Sequence, residues 1–205
     1  MKKSIIAVAT VLLSTAGAAQ AQDIKPYAGI GVGMFGLELK APGVNQKNSV
    51  LGGYAKFGAD FNDYIGAELR IGTTGTGTSS YPIGTPVTIS PGLTIPSPIP
   101  FSFSMKADYF ISYLAKPQIK VADDFRVYGL LGGTTARVTG DFSVAGIPGV
   151  SGTMLGFSYG AGAEYKLADR LNVGAEWVQY WTDVKTGTTS TARIWGIVGS
   201  LRYSF

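Results

Sequence analysis

Leu155-Gly156-Phe157-Ser158-Tyr159-Gly160-Ala161-Gly162-Ala163-Glu164-Tyr165-Lys166-Leu167 alternates without a break. The odd positions are Leu, Phe, Tyr, Ala, Ala, Tyr and Leu; between them stand Gly, Ser, Gly, Gly, Glu and Lys. Side chains in a strand point to opposite faces in turn, so this period predicts a strand with one apolar face and one of glycine, serine and charge. A helix would scatter the same residues around its axis.

Outward from this stretch the pattern recurs. Strands are predicted over 27–39, 49–61, 63–73, 102–116, 124–138, 171–182 and 191–205, which with the quoted segment makes eight. Ile30, Val32 and Met34 oppose Gly29, Gly31 and Gly33; Ala67, Leu69 and Ile71 oppose Gly66, Glu68 and Arg70. In 124–138 the pair Leu130-Leu131 leaves the phase open. The joins alternate in length. About 40–48, 74–101, 139–151 and 183–190 are long, whereas 60–63, 117–123 and 168–170 are short and rich in turn residues. Long joins therefore gather at one end, and an even strand number places both termini at the other.

The composition narrows the class. The chain has 205 residues, 45% hydrophobic, 15% charged and 12% aromatic, with 29 Gly and neither Cys nor His. The charged fraction is well under the roughly 25% of a soluble domain and glycine is about twice its usual ~7%. Beyond the N-terminus no apolar run approaches the ~18 residues of a spanning helix. Without His or Cys, Ser-His-Asp and Cys-His catalysis and thiolate zinc sites are excluded, and no catalytic, cofactor or metal residue is expected. Lys2 and Lys3, the apolar Ile5–Leu13 and Ala19-Gln20-Ala21 read as a secretory signal peptide over 1–21, cleaved after Ala21. The mature domain is then 22–205, and nucleic acid is not expected as a partner of an exported chain.

Which face meets the apolar environment follows from the residues. The apolar faces carry Tyr165, Trp177, Trp181 and Trp195, placed like the aromatic girdles of membrane barrels. The opposite faces carry Lys56, Glu68, Arg70, Lys106, Asp108, Glu164, Glu176 and Arg202, with Arg137 as a further candidate. Eight strands leave room inside for side chains but not for a wide channel, and closure satisfies every strand edge in hydrocarbon. The fold expected is all-β: an eight-stranded antiparallel up-and-down transmembrane β-barrel. Glu38 and Gln179 on the nominal lipid face, and Ile194 and Val198 on the lumen face, fit this badly.

Pro26-Tyr27-Ala28-Gly29-Ile30-Gly31-Val32-Gly33, Tyr159-Gly160-Ala161-Gly162-Ala163-Glu164-Tyr165 and Gly199-Ser200-Leu201-Arg202-Tyr203-Ser204-Phe205 together resemble the small bacterial outer-membrane barrels: the OmpA transmembrane domain, OmpX and the opacity proteins. The resemblance covers the mature chain through pattern more than through any one motif. It implies residence in a Gram-negative outer membrane. It also implies that Leu201, Tyr203 and Phe205 form the C-terminal signal read by the barrel-assembly machinery.

Function is expected at two places. The interior charges read either as a salt-bridged plug or, alternatively, as a narrow porin-like passage for ions or small solutes. The loops 74–101 and 139–151 are proline-rich or apolar and nearly uncharged, and long loops are commonly functional. They read as a cap over the mouth or as a surface for a host or cell-surface ligand. Outer-membrane lipid is the expected surroundings, with lipopolysaccharide near Arg193 and Lys185. No enzymatic activity is expected.

Overall fold

A computed structural model of the chain describes residues 24–41, 44–90, 93–144, 149–186 and 190–205. The segment read as a signal peptide lies outside the described residues. Eight long strands form one closed antiparallel ring: β1 (Lys25–Ala41), β2 (Val44–Asp60), β3 (Ile65–Thr74), β7 (Phe101–Ala122), β8 (Phe125–Phe142), β9 (Val150–Ala168), β10 (Leu171–Lys185) and β11 (Thr191–Ser204). Each pairs with its neighbours in the chain, and β1 closes on β11 from Tyr27↔Ser204 to Lys40↔Thr191. Three further strands, β4 (Gly77–Tyr81), β5 (Pro86–Ser90) and β6 (Leu93–Pro96), lie between β3 and β7.

The turns at one end are tight for local reasons. Asn62 Oδ1 accepts from the backbone N–H groups of Tyr64 and Ile65, both at 2.8 Å, and so closes the β2–β3 turn. Lys120 Nζ lies 3.1 Å from Asp63 Oδ1 in the same turn, and its hydrogen bond holds that carboxyl below the usual aspartate range.

The strands run further at the other end than their alternation predicts. Most of the join read as 40–48 is strand, since β1 runs to Ala41 and β2 starts at Val44. The loop read as 139–151 is shortened from both sides, since β8 runs to Phe142 and β9 starts at Val150. The segment read as the 74–101 loop is also structured. β4 extends the barrel wall by pairing with β7, from Gly77↔Met105 to Tyr81↔Phe101, and β5–β6 form a separate hairpin.

These extensions are hidden in the sequence because the wall inverts its amphipathicity on the way up. Low on β7, Tyr109, Ile111 and Tyr113 face outward while Ser112, Lys116 and Gln118 are buried inside. High on β7, Phe101, Phe103, Met105 and Ala107 are buried inside while Ser102, Ser104 and Lys106 face outward. The β7–β8 register slips by one residue between Ala107 and Tyr109, a bulge that reverses the phase. On β1 the upper outward positions are Glu38 and Lys40, with Phe35 and Leu37 inside; on β11 Arg193 faces outward, with Ala192 and Ile194 inside. The barrel thus has a lower storey built for lipid and an upper storey built for water.

In the lower storey the outward band on β9 runs from Leu155 to Leu167. Twelve residue steps are about 40 Å of strand, roughly 30 Å in height at a tilt of about 40°. That matches a bilayer's hydrocarbon core. Phase on β8 is settled too: Leu130 is buried inside and Leu131 faces outward. No helix among the described residues is long and apolar enough to cross a membrane, and the crossing is made by strands.

Candidate functional site: the filled lumen

The lower lumen is occupied by charge. Among the described residues four buried cations, Lys56, Arg70, Lys116 and Arg202, face four buried carboxylates, Asp60, Glu68, Glu164 and Glu176. Arg70 is the hub, completely buried. Its Nη1 and Nη2 grip both oxygens of Glu176, the second at 2.9 Å, while Nε donates to Glu68 Oε1. Tyr27 Oη donates to Glu68 Oε2 at 2.9 Å, and Tyr54 and Tyr128 donate to the two oxygens of Glu176. Nearer the short turns Lys116 Nζ donates to Glu164 Oε1 at 3.1 Å and Arg202 Nη1 to Oε2 at 3.0 Å. Lys56 lies 3.7 Å from Glu164 and donates to Ser200 Oγ at 3.2 Å. Arg202 and Arg126 converge on Asp60 Oδ2. Buried charges persist only when paired, and the equal count gives each of these an opposite charge; among the described residues Asp60 Oδ1 and Arg202 Nε are left without a hydrogen-bond partner.

Glycine makes room for the aromatic members. A Cβ on Gly31 would strike the Tyr54 ring, one on Gly58 the Tyr27 ring, and one on Gly162 the Tyr128 ring. These three glycines are therefore slots for inward rings. The cations use those rings as well: the Arg202 guanidinium lies 3.8 Å from the Tyr27 centroid and Lys116 Nζ 4.4 Å from that of Tyr128.

Above the charges the lumen is apolar. Phe35, Phe110 and Tyr180 pack with ring centroids 5.1 to 5.7 Å apart, and Tyr180 Oη accepts from Arg70 Nη1 at 3.2 Å. Leu37, Leu130, Val178, Trp181, Ile194 and Val198 complete the layer, all buried. Beside it Ser112, Thr134 and Ser158 link three strands at 2.7 Å per step, and Ser158 donates onward to the Tyr180 carbonyl. The misfits Ile194 and Val198 belong to this apolar layer.

Four sequence assignments are corrected. Lys106 and Asp108 are not lumen residues: their side chains are 45% and 24% exposed, paired at 3.1 Å on the outer wall, because of the bulge at Asp108. Arg137 joins them there, 3.7 Å from Asp108. Trp181 is not a girdle residue. It is fully buried, and its indole N–H donates to the Thr134 carbonyl at 2.9 Å. The β10–β11 register slips on either side of Trp181, and Asp183 takes a φ of 49°, so the ring that simple alternation points at lipid turns inward. Tyr165, Trp177, Trp195, Leu201, Tyr203 and Phe205 face outward.

Sequence reasoning misses Asp60 and Lys116, which read as part of a turn and the end of a strand. It also misses the donors Tyr27, Tyr54 and Tyr128 and the acceptor Tyr180. The signal is phase: 54, 56, 58 and 60 share a face, as do 112, 114 and 116.

A family model, the outer membrane protein beta-barrel domain, matches residues 5–205. The chain belongs to this family. It is located in the outer membrane, as the family is. Neisserial surface protein A is similar to this chain at 12% identity, covering 88% of this chain and 97% of its own, with a TM-score of 0.59. A major outer membrane protein of Thermus thermophilus is similar at 14% identity, covering 89% and 100%, with a TM-score of 0.55. Ail of Yersinia pestis is 15% identical over 87% and 99%, with a TM-score of 0.49. Among curated proteins none matches the sequence.

Proposed function

We propose that this protein is a closed outer-membrane barrel that acts at its surface rather than by conducting or catalysing. The observation that carries this reading is the double filling of the lumen, a charge-balanced network below and an aromatic and aliphatic layer above. A solute would have to displace both. The long-connection end is the cell-exterior end, as is general for bacterial barrels with short periplasmic turns. What it offers there is the hairpin of β5 and β6, a two-stranded sheet of its own among the described residues, which exposes Leu93 and Ile95, and the neighbouring Ile83 and Ile99. Residues 71–105 carry no formal charge. An apolar projection of this kind suits a host or cell-surface ligand, and the rim below it suits lipopolysaccharide.

Leu201, Tyr203 and Phe205 serve as the assembly signal, and residues 1–21 as the export signal removed after Ala21. The alternation that puts those three side chains on the lipid side, with Phe205 69% exposed, supports the first role. Planar-bilayer recording of the refolded protein tests closure: no steady conductance is expected, and a large stable one would establish the narrow-pore reading instead. Deletion of residues 84–97 tests the surface role, with loss of cell binding and retention of the barrel expected.

A further inference from the structure

The upper outward wall of β10, β11, β1 and β2 carries a compact basic patch. Glu38 stands between Arg193 and Lys47 in the cross-strand register, and Lys40 and Lys185 flank Thr191 one step higher. Four cations here face two carboxylates, Glu38 and Asp183. The pairing leaves the excess on particular groups. Arg193 holds Asp183 through Nε at 2.6 Å and Nη2 at 2.7 Å, and Glu38 accepts from the Trp195 indole at 3.3 Å. Among the described residues no ion pair engages Lys40, Lys47 or Lys185, and all three are exposed. The opposite wall differs, since Lys106 and Arg137 both converge on Asp108.

Depth says what meets this patch. Trp195 lies across Gly36, where a Cβ would strike its indole, with its N–H turned toward Glu38. A tryptophan whose ring is apolar and whose N–H points to charge marks the hydrocarbon boundary. Arg193 and Glu38 stand one two-residue step above it, about 7 Å of strand, and Lys40 one step more. That is the headgroup layer, and long lysine chains reach down along the wall to it. A soluble macromolecule would meet this level only after displacing lipid.

We propose that Lys40, Lys47 and Lys185 form a binding site for the phosphate groups of an outer-leaflet lipid headgroup. The proposal rests on the reading that the long-connection end faces outward. A phosphomonoester carries about −1.5 to −2 charges, which the local excess matches. Arg193 acts as the fixed wall of the site, held by Asp183.

The test uses refolded protein in phosphatidylcholine bicelles, with diphosphoryl lipid A and its dephosphorylated form as probes. Wild type is expected to prefer the diphosphoryl form. K40Q/K47Q/K185Q is expected to lose roughly tenfold in that preference, the combined effect of three surface ion pairs. K106Q/R137Q is expected to keep it. Equal binding of both probes by wild type, or full preference in the triple variant, would overturn the site. So would displacement by millimolar inorganic phosphate, which would point to a free anion. Stronger retention of a sulfated polysaccharide without lipid would point to a glycan partner and overturn it as well. Biotin labelling of intact cells reports orientation separately: protection of the long-connection end would refute the outward reading while leaving the bicelle preference in place.

Discussion

Arg70→Met is the most informative single perturbation of the lumen. The methionine keeps most of the side-chain volume and removes every donor. Glu176 then loses both guanidinium contacts but keeps the hydroxyls of Tyr54 and Tyr128, and Glu68 keeps that of Tyr27. Removing one partner of a buried ion pair costs about 3–5 kcal/mol, because the other charge stays buried. Here two carboxylates are stranded, yet three tyrosine donors remain, so the expected loss is about 4 kcal/mol, near a thousandfold in the folding constant. The control is E68Q/R70M/E176Q, which removes the stranded charges; replacing a whole buried ionic set is often close to neutral. The triple variant should recover at least half of the loss. Reversible urea unfolding in lipid vesicles, followed by heat-modifiable gel mobility, measures both. A wild-type midpoint for R70M, or a triple variant no better than R70M, would refute the account of the network as charge-balanced. The same samples in planar bilayers should stay silent, because Phe35, Phe110 and Tyr180 still fill the level above.

Combining R70M with Phe35→Ala and Phe110→Ala should open measurable conductance that neither R70M nor the aromatic pair gives alone; silence in the combined variant, shown folded by gel mobility, would mean that other residues form the seal. Gly132→Ala should cost about 1–3 kcal/mol as an overpacked site, since its Cβ would meet the Tyr113 carbonyl and cannot rotate away, while Gly129→Ala, with only Pro117 Cγ at 3.4 Å and the Gly160 carbonyl at 3.9 Å, should stay within about 0.5 kcal/mol in the same urea assay. Deleting 84–97 should leave unfolding midpoints unchanged, because β5 and β6 pair only with each other; extending the deletion through Gly77–Tyr81 should lower them, because β4 is laddered onto β7.

How much of this is legible in the sequence depends on bulges. β9 carries no slip against β8, and its reading from Leu155 to Leu167 matches the observed faces residue by residue. β7 and β10 each hide an irregularity, at Asp108 and around Trp181, and simple alternation puts Lys106, Asp108 and Trp181 on the wrong face. A bulge adds one residue without any composition signal: Asp108 and Trp181 look like ordinary members of their alternations. The aromatic slots are equally hidden, since a glycine opposite a tyrosine shows itself only once register is known. The buried tyrosine donors escape because tyrosine is as much at home in a girdle as in a lumen.

The upper storey reads as loops for a different reason. Alternation is legible in Phe101, Phe103, Met105 and Ala107, but a period of two does not say which face is inside. Its sign has to come from the surroundings, and these change at the headgroup level. Below it the wall is stabilised by apolar residues outside. From that level upward the outside is Ser102, Ser104, Lys106, Glu38, Lys40 and Arg193, so the wall can cohere only through an apolar interior. That interior meets the charged network at Tyr180, which packs on Phe35 and Phe110 and bonds Arg70. The residues that let the extension stand in water are therefore the same ones that fill the passage. The filling of this lumen follows from the length of the strands, and a version with a polar passage would have to give up the upper storey.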